Sequence, residues 1–164
     1  MSARRASIIA IMAALGNVLA LVSVPLMPGV RVHFSQLPAL LLSVVLGPFE
    51  GAVTGFLSSL ATSYMIGTFT AAFIPLGVAI LCFSAGLAAR RVMPALACII
   101  GFLAELPYML FTTHFISGLP LSVVSVIAAK AMLEDMVSGV LIEALLAKPG
   151  LKEALQRLSG KVVY

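Results

Sequence analysis

Charged residues are scarce in this chain of 164 amino acids, where they make up 10% of the residues against 62% that are hydrophobic. A water-soluble domain of this length needs a polar surface, and the chain has too few polar residues to make one. The mean hydropathy of +1.17 points to lipid as the solvent. The sequence therefore predicts a small membrane protein, with residues 1–164 forming a single membrane domain.

Sequence signatures of catalysis and metal binding are also missing. The chain has no HExxH, no GxSxG, no phosphate-binding lysine loop and no paired-aspartate motif. Cys82 and Cys98 lie in apolar stretches without CxxC or Cys/His spacing, so we expect two buried thiols. The net charge of +4 comes from the basic ends and loops, which does not favour a nucleic-acid partner. We expect no enzyme activity, no cofactor and no metal site.

Apolar residues form six blocks that are continuous rather than alternating, which predicts helices and makes strands improbable. The fold class predicted is an all-α membrane protein, a six-transmembrane-helix bundle. The second block is short, because a helix needs about 20 residues to cross the hydrocarbon core. After the blocks, an amphipathic helix is predicted at 151–158, suited to the membrane surface or to a partner groove. The blocks cover about 7–24, 34–46, 52–66, 71–89, 94–115 and 121–147.

The basic residues predict the orientation. The first block follows two arginines, as in a signal peptide, but it is longer than a typical signal sequence, so we expect a retained helix. With both termini in the cytoplasm, Arg31 is the only basic residue outside and Lys130 lies within the membrane. We expect a multi-pass protein of the plasma membrane. The basic residues then placed in the cytoplasm are Arg4, Arg5, Arg90, Arg91, Lys148, Lys152, Arg157 and Lys161.

Four charged residues lie away from the edges of the apolar blocks: Glu105, Lys130, Glu134 and Asp135. A charge at bilayer depth costs roughly 2.5–3.5 kcal/mol, so such residues are usually paired or functional. Glu105 and Lys130 each lie ten residues from the outer end of neighbouring helices, about 15 Å deep at the rise of an α-helix. We predict that they pair, with Glu134, one turn along from Lys130, as a second partner for the lysine.

Further polar residues surround this predicted pair. Tyr108 and Thr112 share a helix face with Glu105, and other candidates come from the remaining helices. We predict a cavity that opens outward above the charged residues, with the loops at 28–33 and 67–70 becoming ordered around a ligand. The alternative is a buried ion network that only ties helices together, and His33 and His114 are expected to lie at the membrane interface. The candidate substrate-binding residues are Lys130, Glu105, Tyr108, Thr112, Gln36, Tyr64 and Glu134, with Asn17, Thr62 and Ser63 as additional polar residues nearby.

Small residues recur at every fourth position on three of the helices. Such spacing lets helix backbones approach closely in lipid. We expect internal packing at Gly51 and Gly55, and likewise at Ala97 and Gly101. The stripe on the first helix begins at the cytoplasmic edge, so it fits either internal packing or a face for another membrane protein. That stripe consists of Ala6, Ala10 and Ala14.

Two motifs stand out, Ala10–Ala14 and Phe34–Leu40 followed by Leu46–Gly51. Together with the layout, they resemble the substrate-binding S components of energy-coupling factor (ECF) vitamin transporters. The run Ala10–Ala14 (AIMAA) is similar to the AxxxA motif of that family. Phe34–Leu40 (FSQLPAL), followed by Leu46–Gly51 (LGPFEG), is similar to a pattern of the riboflavin-type members. Six short helices with both ends cytoplasmic complete the resemblance.

The resemblance implies a mechanism. An S component binds a vitamin from outside, in a pocket of its fourth to sixth helices that is roofed by loops. It docks through its first helix on a transmembrane T component, which sits on two cytoplasmic ATPases, and it topples to release the vitamin inside. Ala10 and Ala14 would then be docking residues, and Lys130 matches a lysine that riboflavin-type members use.

Some positions depart from the riboflavin-type pattern. Ser125 and Ile127 stand where a proline and an asparagine are often found, and Ser58 and Ser59 replace a Lys-Asn pair. Riboflavin is therefore a first candidate among vitamins rather than a conclusion. The start Met-Ser-Ala does not fit the nickel/cobalt branch, which needs Met-His. A solitary secondary carrier with Glu105 or Glu134 as its proton site, and a membrane assembly protein without a ligand, are the alternatives.

Overall fold

The computed structural model describes residues 3–27, 30–148 and 150, and these are helical apart from one short hairpin. The helix predicted at 151–158 lies outside the described residues. The elements are α1 (Ala3–Leu21), β1 (Val24–Met27), β2 (Val30–Val32), α2 (Leu37–Val45), α3 (Pro48–Ser58), α4 (Leu60–Ile66), a 3-10 helix (Phe69–Phe73), α5 (Ile74–Ala88), α6 (Pro94–Leu110), a π-helix (Phe111–Ile116) and α7 (Leu121–Leu146).

The hairpin was not predicted. Helix α1 ends at Leu21, three residues before the predicted end of the first block. Strand β1 then pairs with β2 in antiparallel register, with Val24 opposite Val32. The chain must cross the end of the bundle here, and pairing within a hairpin satisfies backbone groups that an open loop would leave unbonded. Part of the loop predicted at 28–33 is therefore a strand, while residues 28 and 29 lie outside the described residues.

The third apolar block forms two helices rather than one. Helix α3 already begins at Pro48, four residues before the predicted start of this block, and it breaks at Ser59. The Ser58 hydroxyl donates to the carbonyl of Gly55 at 3.1 Å, and the Ser59 hydroxyl donates to the same carbonyl at 2.9 Å. Serine hydroxyls that bond back to preceding carbonyls bend or end helices, which accounts for the break between α3 and α4.

Asn17 on α1 bonds to the backbone on both sides of this break. Its amide nitrogen donates to the carbonyl of Leu57 at 2.9 Å, and its amide oxygen accepts from the backbone N–H of Ala61 at 2.8 Å. The first N–H groups of any helix lack partners within that helix. Asn17 therefore uses both ends of its amide group to cap α4 from a neighbouring helix.

Close packing through small residues holds the bundle together. A Cβ atom added to Gly101 on α6 would lie 2.7 Å from the carbonyl oxygen of Leu81 on α5 and 2.8 Å from Cβ of Ala85. An added Cβ on Gly55 would lie 2.8 Å from Sγ of Cys82, and Ala97 is fully buried. The internal packing predicted for these small residues is confirmed, and both cysteines are buried free thiols as expected.

The bundle has two chemically different ends. One, the hairpin end, carries β1–β2, the 3-10 helix and the π-helix. At the opposite end Arg5 on α1 pairs with Glu50 on α3 at 3.1 Å, and Gly86 on α5 packs against Pro48. Arg90 and Arg91 follow α5 at this same end. Basic side chains thus gather at the end opposite the hairpin.

Three helical stretches are long and apolar enough to cross a membrane: Ala3–Leu21, Ala71–Ala88 and Pro94–Ile116. Helix α7 has 26 residues but carries charged side chains in its middle, and α2 has only 9 residues. Large apolar side chains of α1, such as Ile11 and Val18, face outward. The protein is a membrane protein whose helices differ in length and polarity.

Candidate functional site

The centre of α7 carries an ion pair. Nζ of Lys130 lies 2.7 Å from Oε2 of Glu134, one turn along the same helix, and the two side chains are 15% and 6% exposed. Within the described residues, Lys130 does not pair with Glu105 as predicted, whereas the predicted second partner, Glu134, does bind it. A partner one turn away on the same helix can be reached without crossing to another helix, which explains the preference.

Glu105 lies instead against α5. A Cβ added to Gly77 would lie 2.8 Å from Oε1 of Glu105 and 3.3 Å from the ring of Tyr108. The missing side chain at Gly77 thus makes room for the carboxylate and the ring together. The Tyr108 hydroxyl donates to the carbonyl of Phe73 at 3.0 Å, next to the start of α5. Glu105 and Tyr108 form a second polar group, separate from the Lys130–Glu134 pair.

The end of the hairpin reaches the ion pair. The backbone N–H of His33 donates to Oε1 of Glu134 at 2.7 Å, so both oxygens of that carboxylate are bonded. Nδ1 of His33 lies 3.0 Å from Oγ of Ser35, which is 2% exposed. Burial and, secondarily, the charge of Lys130 lower the pKa of His33 to about 4. The sequence offered no signal for this contact, because 101 positions separate the two residues.

Asp135 is the neighbour of Glu134 but faces the interior. It is 1% exposed, and neither carboxylate oxygen has a hydrogen-bond partner in the described part of the chain. One turn further along α7, Gly139 packs against Ala95 and Cys98 of α6. Buried polar atoms nearly always have partners, so a carboxylate without one is a candidate for a site that is completed by another group.

The polar face of α6 ends in a π-helix. Pro107 lies inside α6, and the π-helix follows from Phe111. The Thr112 hydroxyl donates to the carbonyl of Tyr108 at 3.0 Å, and the Thr113 hydroxyl donates to that of Met109 at 2.6 Å. These hydroxyls satisfy carbonyls where the regular helical bonding changes, and π-helices often occur at functional sites.

The remaining candidates do not hydrogen-bond to the ion pair within the described part of the chain. Gln36 is half-buried just before α2, and its side chain does not cap that helix. Tyr64 on α4 is 89% exposed. On the same helix, the hydroxyls of Thr62 and Ser63 are buried and lack partners in the described part of the chain. The structure thus gathers His33, Lys130 and Glu134 and leaves Tyr64 apart from them.

The alanine stripe of α1 lies on the outside of the bundle. Ala6, Ala10 and Ala14 are all exposed. The opposite face of α1 packs into the bundle through Ile9, Ala13, Gly16 and Ala20. Of the two interpretations that the sequence allowed for this stripe, internal packing is wrong.

This arrangement is chemically suited to binding. A lysine ammonium, carboxylates and hydroxyls on several helices offer hydrogen bonds within an apolar bundle, which is how small-molecule sites gain specificity. No cluster of His, Cys, Asp or Glu side chains that could hold a metal ion occurs among the described residues. The fold and the polar residues together define a small helical membrane protein with the features of a solute-binding subunit.

Comparison with known proteins identifies the family. The sequence profile of the ECF-type riboflavin transporter S component matches residues 1–153. The chain therefore belongs to that family, and the resemblance identified from its motifs is confirmed. No functionally curated protein matches the sequence. A solved structure described as the S component of a bacterial ECF transporter aligns with a TM-score of 0.57 and 19% identity, over 98% of each chain, which shows a shared fold.

The class of function follows from membership in the family. The chain is a substrate-binding subunit of an ECF-type importer, and it acts in vitamin uptake at a membrane. Such a subunit works in general with a vitamin ligand and with a module of T component and ATPases. The family is one of transport subunits rather than enzymes.

Proposed function

We propose that this chain captures riboflavin from outside the cell and delivers it by docking on a T component that carries two ATPases. The family match over residues 1–153 is the observation that carries this proposal. Riboflavin presents ring carbonyls and hydroxyls, which accept hydrogen bonds from cationic donors. An ammonium group has three N–H donors, and the Glu134 pair uses one of those of Lys130.

The serines that depart from the riboflavin-type pattern bond to carbonyls of their own helices. The Ser125 hydroxyl donates to the carbonyl of Ser122 at 2.8 Å on an exposed face of α7. The hydroxyls of Ser58 and Ser59 donate to the carbonyl of Gly55. We propose Lys130, Glu134, Glu105, Tyr108, Thr112, Gln36 and Tyr64 as the substrate-binding residues, with Lys130 as the principal donor.

Calorimetric titration of riboflavin into the purified protein tests this proposal, with Lys130→Met as the decisive variant. The variant keeps much of the aliphatic stem and removes the charge. Loss of a hydrogen bond from a charged group costs about 1.5–3 kcal/mol, so affinity should fall roughly 10- to 150-fold. Glu143→Gln, on the same helix, is the control and should bind like the wild type.

Two outcomes would contradict the proposal in different ways. If Lys130→Met lowers the melting temperature but keeps riboflavin affinity within twofold, the ion pair is structural and the ligand binds elsewhere. If the wild type does not bind riboflavin, the choice of vitamin is wrong. Mass spectrometry of small molecules that co-purify with the protein would then identify the substrate within the same family role.

We further propose that the alanine stripe of α1 is the docking face for the T component. Ala6, Ala10 and Ala14 are exposed and present no bulk, so another helix can approach the α1 backbone closely. Ala10→Leu or Ala14→Leu should abolish co-purification with the T component and vitamin uptake, while riboflavin affinity stays unchanged. Ala104→Leu, at an exposed alanine of α6, is the matched control. Normal assembly in the α1 variants would contradict this role.

The proposed topology has six membrane spans, both termini in the cytoplasm and the hairpin end outside. The basic residues at the opposite end support this orientation. Because Cys82 and Cys98 are buried, single cysteines introduced elsewhere can be labelled against a low background. Leu121→Cys should react with an impermeant maleimide in intact cells, and Arg90→Cys should react only after permeabilisation. The reverse pattern would overturn the orientation.

A further inference from the structure

The carboxylate of Glu134 connects two parts of the molecule. Its Oε1 accepts the backbone N–H of His33 at 2.7 Å, and its Oε2 binds Nζ of Lys130 at 2.7 Å. Because each oxygen serves a different segment, one side chain joins the end of the hairpin to the proposed ligand donor. We call this arrangement the Glu134 link.

The surroundings of the link favour a strong interaction. The Glu134 side chain is 6% exposed, and Ser35, two residues after His33, is 2% exposed. A hydrogen bond to an ionised acceptor is stronger than a neutral one, and a low local dielectric strengthens it further. Strand β2, which ends next to His33, also contacts α7. The segment between β2 and α2 is therefore held on α7 through a backbone atom and a charged side chain.

We propose that Glu134 is a positioning residue that couples closure of the β2–α2 segment to the orientation of Lys130 toward its ligand. This inference rests on the proposed function, in which Lys130 donates to the vitamin. The segment holds the carboxylate, the carboxylate fixes the ammonium, and the ammonium keeps two N–H donors for a ligand. A ligand bound to Lys130 is retained for as long as the segment stays on α7.

A plain helix-stabilising pair would behave differently. An ion pair at i,i+4 on a helix needs only the two side chains, and its loss affects the helix alone. In the Glu134 link, by contrast, removal of Lys130 leaves the acceptor of His33 in place, whereas removal of Glu134 takes it away. Variants at the two ends of one ion pair should therefore have different effects on the hairpin.

Amide hydrogen exchange of the ligand-free full chain in detergent tests the link without any ligand. In Glu134→Ala the exchange of the His33 amide should accelerate roughly 10- to 150-fold, the factor expected for loss of a hydrogen bond to a charged group. In Lys130→Met and in the control Glu143→Gln it should stay within about threefold of the wild type. Equal exchange at His33 in Glu134→Ala and Lys130→Met would overturn the proposal.

A second variant keeps the test decisive if Glu134→Ala does not fold. Glu134→Gln preserves the shape and an acceptor oxygen but removes the charge. Its His33 amide should exchange several-fold faster than in Lys130→Met, because a neutral acceptor binds more weakly than an ionised one. If the amide exchanges more slowly or equally fast in Glu134→Gln, the link does not hold the segment.

Riboflavin release gives a functional readout that separates positioning from folding. Stopped-flow flavin fluorescence should show a dissociation rate at least about fivefold faster in Glu134→Gln, with association within twofold, because loss of a closed state acts mainly on release. Unchanged dissociation in Glu134→Gln would overturn the coupling. If wild-type protein fails to bind riboflavin, the substrate assignment fails, while the exchange experiment still decides whether Glu134 holds the segment.

Discussion

The interface between α5 and α6 and the centre of α7 follow opposite principles. Between α5 and α6 the contacts are made by small residues, and Gly101 lets the α6 backbone approach the carbonyl of Leu81. The centre of α7 instead carries Lys130, Glu134 and Asp135 in a membrane protein with few charges. The first region is specified by shape and the second by polar chemistry.

This difference indicates that the α5–α6 interface stabilises the fold and that the centre of α7 serves binding. Close approach of backbones stabilises helices in lipid, where burial of apolar surface contributes little to association. Charged groups within a bundle lower stability unless they are bonded, and they are retained where they serve transport or binding. Substitutions in the α5–α6 interface should therefore affect folding, whereas substitutions in α7 should affect ligand binding with smaller effects on folding.

The largest effect is expected for Gly101→Val. The added side chain must occupy the space 2.7 Å from the Leu81 carbonyl and 2.8 Å from Cβ of Ala85. Because the helices must separate, the free energy of unfolding should fall by about 3 kcal/mol. Ala104→Val, on an exposed face of the same helix, is the control and should change stability by less than about 0.5 kcal/mol. Unfolding in detergent measures both, and equal stability would contradict this packing argument.

A smaller loss is expected for Asn17→Ala, which removes the cap of α4. The backbone N–H of Ala61 would lose its partner, and the carbonyl of Leu57 would lose one. An unsatisfied buried group costs about 1–3 kcal/mol, so stability should fall by about 2 kcal/mol. Ser7→Ala, an exposed polar residue on the same helix, is the control. If both variants melt at the same temperature, Asn17 does not stabilise the break at Ser59.

The sequence predicted the helices more accurately than the break within the third block and the hairpin between helices. Continuous apolar blocks and glycine spacing are local patterns, and they indicated helices and their close contacts. The break at Ser59 depends on hydroxyl bonds and on Asn17, which comes from a distant part of the chain. The hairpin after Leu21 depends on the geometry of the bundle's end, which no local pattern records.

The candidate site was predicted only in part, for a related reason. Helical spacing places Glu134 one turn from Lys130, so that contact was accessible from sequence. The side chain of Glu105 lies against Gly77 because of the way α6 packs on α5. The equal depth of Glu105 and Lys130 in their helices did not predict this placement. The contact of the His33 backbone with Glu134 involves no side-chain pattern at His33, so it could be found only in the structure.

A gain in stability is expected at Asp135. Asp135→Asn keeps the shape and removes the charge of a buried carboxylate that has no partner among the described residues. Stability without ligand should rise by about 1 kcal/mol, because burial of an unpaired charge is unfavourable. If the carboxylate contacts the vitamin, the rise in melting temperature caused by riboflavin should shrink in this variant. Glu143→Gln is the control, and a loss of ligand-free stability in Asp135→Asn would show that the carboxylate has a stabilising partner.

The last expected effect is confined to acidic pH and originates at His33, which faces Lys130 and Glu134. Its pKa of about 4 in the folded protein is below the ordinary value of 6.5. As the pH falls, the unfolded chain binds this proton first, so the stability gained from neutral His33 is complete above about pH 6.5 and is lost toward pH 4. His33→Asn removes the titrating group and keeps the backbone N–H that binds Glu134. Its melting temperature should match the wild type near pH 7.5 and decline less on acidification to about pH 5. Identical declines in the two proteins would show that another group controls the acid sensitivity.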